Sequence, residues 1–139
     1  MNQVRQALTR LQAAAEASAL ASLCQRYDVS LLVVFGSVLD AAVPEPRDLD
    51  VAVRFAAYDP AKVLPLLDEV ARLAGIGDVD LMVLNTAGPV AREQALVFGE
   101  ALYEAFEGLH ARAQIAASME RMDTDHLRRN QLDLLRTHV

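Results

Sequence analysis

Apolar residues near the start of the chain recur at helical spacing. Val4, Leu8, Leu11 and Ala15 share one face, and Ala19 and Leu23 continue it in steps of four. No Gly or Pro interrupts residues 2–26, so the pattern predicts one helix or two short ones. The period then changes. Residues 31–35 (LLVVF) form an apolar, partly β-branched run that stops at Gly36, as expected of a buried strand. Residues 38–42 suit a short helical turn, and residues 43–47, with Pro44 and Pro46, a loop.

A second strand is predicted over 48–53 (DLDVAV) and a third over 78–84 (DVDLMVL). Between them, Asp59 can cap a helix with Pro60 at its first position. That helix should run to about Ala74, with Val63, Leu66, Leu67, Val70 and Leu73 inward, a possible kink at Pro65, and an end at Gly75 and Gly77. A further helix is expected over 89–98, preceded by Thr86 or Gly88 and ended by Gly99, then a short fourth strand over 101–103. From Leu109 onward the pattern is helical, with a break expected near Asp123-Thr124-Asp125, where Thr124 would recap. The order of elements predicts an α/β (α+β) fold, a small mixed β-sheet flanked by helices.

Length and composition narrow the picture. The 139 residues suit a single domain over 1–139, with a helical N-terminus (1–27), a core (30–104) and a helical tail (106–139). No repeat or linker divides it. With 13 Lys and Arg against 19 Asp and Glu, the net charge is −6, which gives no general reason to hold a nucleic-acid backbone. Cys24 is the only cysteine, so no internal disulfide forms, and its apolar helical setting makes it a small buried hydrophobe. No run approaches the ~20 apolar residues that span a bilayer, and Gln12 and Glu16 interrupt any signal-peptide core. A soluble, cytoplasmic protein is expected.

The chemistry concentrates at 35–53. Gly36-Ser37 ends the first strand, and ten residues later comes Asp48-x-Asp50. Two acids at i, i+2 of a strand project from one face. They repel each other unless a cation lies between them, and hard oxygen ligands suit Mg²⁺. Gly36 permits close backbone approach, and the Ser37 hydroxyl with nearby N–H groups can hold a phosphate. Asp78 and Asp80 repeat the i, i+2 geometry on the third strand. If the second and third strands are neighbours, one of these completes the site. A phosphate cradle beside a carboxylate–metal site implies phosphoryl or nucleotidyl transfer.

Gly36-Ser37, ten residues, then Asp48-x-Asp50 resembles the minimal nucleotidyltransferases of the DNA-polymerase-β-like superfamily. Residues 79–104 (VDLMVLNTAGPVAREQALVFGEALYE) are similar to the third strand, helix and last strand of the MNT antitoxins of HEPN/MNT toxin–antitoxin pairs. The resemblance spans about 31–104. It implies that Gly36 and Ser37 bind the nucleotide triphosphate, that Asp48 and Asp50 hold Mg²⁺, and that Asp80 is the third carboxylate, as metal ligand or general base. Asp78, on the same face, is the alternative. It also implies ATP as substrate, transfer of AMP to a tyrosine of a HEPN ribonuclease partner, and silencing of that toxin. Other readings are a domain that neutralises its partner by complex formation alone, and a small-molecule nucleotidyltransferase.

Other signals carry less. Arg121 and His126 have the spacing of the HEPN ribonuclease motif, but too little sequence follows Phe106 for that helical bundle. Arg128, Arg129 and Arg136 read as a solvated face or as a complement to a helix C-terminus. His110 and His138 lack a zinc-site spacing.

Overall fold

In the computed structural model, which describes residues 2–137, two helices precede the first strand. They are α1 (Gln3–Glu16) and α2 (Ala19–Arg26), so the early periodicity divides in two at Ala17 and Ser18. Asn2 caps α1, its side-chain oxygen accepting from the Val4 and Arg5 N–H groups. Strand β1 (Val29–Phe35) starts earlier than its apolar run suggests, and β2 (Leu49–Phe55) is shifted two residues past its predicted end. Asp48 therefore stands just outside β2 rather than in it.

The remaining elements are α3 (Val63–Ala74), β3 (Val79–Val83), α4 (Pro89–Phe98), β4 (Glu100–Glu104) and α5 (Leu109–Thr137). Pro60 opens a 3₁₀ turn capped by Asp59, and α3 proper begins at Val63. Pro65 falls in the first turn of α3, where a missing N–H has no intrahelical partner to lose. Gly75 closes the helix in the left-handed conformation at φ 71°.

The expected break in α5 does not occur. The Thr124 hydroxyl donates back to the Glu120 carbonyl at 2.9 Å, and Arg121 pairs with Asp125 along the same face. With neither Gly nor Pro in the segment, nothing obliges the backbone to leave the helix. His126 lies next to Asn130, while Arg121 is engaged by Asp125 and Glu93, so their motif-like spacing is helix-surface pairing. Arg128, Arg129 and Arg136 are exposed, and His138 lies outside the described residues.

The sheet, four-stranded among the described residues, has the order β3-β2-β1-β4. β1 runs antiparallel to both β2 and β4, whereas β2 and β3 are parallel, which α3 makes possible as the crossover. Helices cover both faces. Leu32, Val34, Val51, Val53 and Phe55 pack with α1, α2 and α3, while Leu31, Val33 and Ala52 pack with α4 and α5. The continuous LLVV run follows from this double burial. Cys24 is fully buried in the first of these cores. No helix among the described residues is long and apolar enough to cross a membrane.

Candidate functional site

At one end of the sheet, the turn after β1 meets the starts of β2 and β3. Gly36 has φ 84°, a region costly to residues with a Cβ. Ser37–Leu39 then form a single 3₁₀ turn. A Cβ on Gly36 would collide with the carboxylate of Asp50, so the glycine is needed twice, for its backbone angle and for its missing side chain. Phe35 is the register partner of Asp50 across the antiparallel pair.

Asp50 is in turn the register partner of Asp80 on the parallel side. Paired positions in a sheet share a face, here the one that carries Ala52, Met82 and Leu84 and that α4 and α5 cover farther along. The structure thus makes β2 and β3 neighbours, with Asp80 beside Asp50. Asp78 contributes its backbone, its carbonyl accepting from the Leu49 N–H at 2.9 Å, and its side chain is exposed one step beyond the pair.

The electrostatics agree with this placement. Burial raises the Asp50 carboxyl above its ordinary 3.8, and the charges of Asp80 and Asp48 raise it further. Three carboxylates therefore act on one small volume. They do not close into a cluster of three ready-made metal ligands among the described residues. By donor chemistry the set fits a hard divalent cation such as Mg²⁺.

Arg5 was not singled out from sequence. Its guanidinium donates to the Val38 and Asp40 carbonyls, each at 3.2 Å, and also to that of Val43. One α1 side chain thereby staples the segment that follows Gly36-Ser37. Nothing local in the sequence signals a bond across more than thirty positions. Asp40 is also accounted for: its Oδ1 accepts from the Ala42 N–H at 2.9 Å, folding the side chain into its own turn. Arg47 is exposed beside Asp48.

A glycine-bearing turn, a mixed sheet and acids paired across its parallel strands are the features of a nucleotidyltransferase fold. Residues 18–107 match the family model described as Polymerase beta, Nucleotidyltransferase, and the chain belongs to that family. Solved structures give the same fold. A chain of the tri-AMPylated Shewanella oneidensis HEPN toxin in complex with MNT antitoxin aligns with a TM-score of 0.64 at 20% identity, covering 89% of this chain and 98% of that one. A toxin–antitoxin structure with AMP-PNP gives 0.66 at 21% identity, covering 84% and 94%. The MntA-HepT toxin–antitoxin gives 0.62 at 20% identity, covering 84% and 92%. No curated protein matches the sequence.

Proposed function

We propose that this chain is a Mg²⁺- and ATP-dependent protein adenylyltransferase, the antitoxin of a HEPN ribonuclease, which it silences by moving AMP onto a tyrosine. The observation that carries the reading is the in-register pairing of Asp50 with Asp80, with Gly36 packed against the Asp50 carboxylate. Support comes from the family membership and from fold neighbours that are toxin–antitoxin complexes, one with AMP-PNP and one with an AMPylated toxin.

In this reading the Ser37 and Val38 N–H groups and the Ser37 hydroxyl hold the β- and γ-phosphates. Asp48, Asp50 and Asp80 hold Mg²⁺, which when bound supplies charge neutralisation for the phosphates. The tyrosine oxygen attacks the α-phosphorus, the bond to the α,β-bridging oxygen breaks, and pyrophosphate leaves. Asp80, the more exposed of the two paired acids, takes the hydroxyl proton. Asp50 stays charged under the metal, which reverses the effect of its two acidic neighbours. The acidic surface suits a protein partner better than a nucleic acid, and the single cysteine suits a reducing cytoplasm.

The test is the intact mass of the partner toxin after incubation with this protein, ATP and Mg²⁺, beside an Asp48→Asn control. The expected result is a gain of one or more AMP units, absent with the variant. An unchanged mass with both proteins, together with a stable complex, would replace catalysis by neutralisation through binding.

A further inference from the structure

A cleft lies on the α4 side of the Gly-Ser turn. It has a volume of about 430 Å³ and is lined by Phe35, Gly36, Leu39, Asp40, Gln94 and Phe98. That volume lies within the range of small-ligand sites. Two features of the fold set its walls. Phe35 is the β1 residue opposite Asp50, so the cleft begins one strand away from the carboxylates. Gln94 and Phe98 are one helical turn apart near the end of α4. Gly99 holds that end against β1, where any side chain would strike Val33 and the Val34 carbonyl.

Phe98 is 67% exposed, and the Gln94 amide makes no hydrogen bond among the described residues. The C-terminal end of α4 carries partial negative charge, and Asp40 adds a full one. These charges disfavour a phosphate on this side of Gly36. A neutral aromatic group that donates hydrogen bonds is favoured.

We propose that this cleft is the nucleobase site and that it selects an amino-bearing purine. The assignment rests on the nucleotidyl-transfer reading above. With the phosphates at Gly36 and Ser37, the base reaches the cleft, stacks on Phe98 over a floor of Phe35, and meets the amide of Gln94. A glutamine amide pairs in a bidentate manner with adenine N6 and N7. It cannot do so with a base that has a carbonyl in place of the amine. Phe98 and Gln94 thus set nucleotide choice without touching the reacting atoms.

The experiment is calorimetric titration of the full chain with the Mg²⁺ complexes of ATP, ITP and inorganic tripolyphosphate. Wild type is compared with Phe98→Ala and Gln94→Ala. Loss of a stacking partner should weaken ATP roughly tenfold. Tripolyphosphate affinity should not change, which also shows that the variants are folded. Gln94→Ala should remove most of the preference for ATP over ITP. ATP affinity at the wild-type level in both variants, with tripolyphosphate still bound, would overturn the base assignment and leave the phosphate site standing. Unchanged ATP affinity with lost transfer would overturn it in favour of the acceptor's tyrosine. Wild type that binds neither ATP nor tripolyphosphate would remove the nucleotide reading and this assignment with it.

Discussion

The carboxylate of Asp50 lies against the α-carbon of Gly36, in space that a Cβ would need. The Gly-Ser turn and the acidic pair are therefore one packing unit. Gly36→Ala should push Asp50 aside and strain a backbone held at φ 84°. The expected loss of stability is about 1–3 kcal/mol by urea denaturation. Binding of MgATP should fall along with it, and a variant as stable as wild type would show that the turn relaxes freely.

Asp50 should also govern a pH dependence of the metal-free protein. Burial, then Asp80 and Asp48, raise its carboxyl above 3.8, so the folded state holds that proton more tightly than the unfolded chain does. The stability it contributes is present below the ordinary value and is lost as pH rises through the raised one. In EDTA at neutral pH, Asp50→Asn should melt at or above the wild-type temperature. Mg²⁺ should raise the wild-type melting temperature and leave that of the variant unchanged.

Glu104, at the end of β4, anchors the start of α5. Its two oxygens accept from the Gly108 N–H at 3.2 Å and the His110 N–H at 2.9 Å. These bonds hold its carboxyl below the ordinary 4.5. Glu104→Ala should cost about 1 kcal/mol at neutral pH, as for the loss of a helix cap. For a lowered pKa, the contribution is present above the unfolded value and is lost as pH falls through the native one. Denaturation curves of variant and wild type should accordingly draw together in acid.

Arg5 offers a test of positioning at a distance. Arg5→Ala removes the donors to Val38, Asp40 and Val43 and frees the segment after Ser37. The half-saturating concentration of ATP should rise several-fold while the Asp50–Asp80 pair stays intact. Kinetics with ATP varied should show the change in KM more than in kcat.

Cys24 should be silent in the native state. It is fully buried, and burial pushes its thiol up to about 12. Alkylation at neutral pH should proceed only at the rate at which the chain opens, and should speed up with urea in step with unfolding.

Much of this site was legible in the sequence because its signals are local. Gly36-Ser37 ends an apolar run, and each Asp-x-Asp leads into a strand, which brings Asp50 and Asp80 into register although Asp48 and Asp78 fall just outside the strands. The pairing of Asp50 with Asp80 required only that two predicted strands be neighbours. Residues whose role depends on distant partners were not legible: Arg5 reaches carbonyls in another element, and Glu104 caps a helix that begins five residues later. Gln94 and Phe98 read as ordinary helix positions until Gly99 seats α4 on β1. The misplaced break in α5 has the opposite cause. Asp123-Thr124-Asp125 looks like a capping segment, yet Thr124 and Asp125 find partners along a continuous helix.

The parallel pairing of β2 with β3 also fixes when the site comes into being. Gly36, Asp48 and Asp50 are delivered together by the antiparallel β1–β2 pair, but Asp80 arrives only after α3 has carried the chain back across the sheet. A nascent chain that has emerged as far as Ala74 carries the Gly-Ser turn and the Asp-x-Asp motif without a third carboxylate. During synthesis the acidic set is therefore complete only once the crossover has closed and β3 lies beside β2.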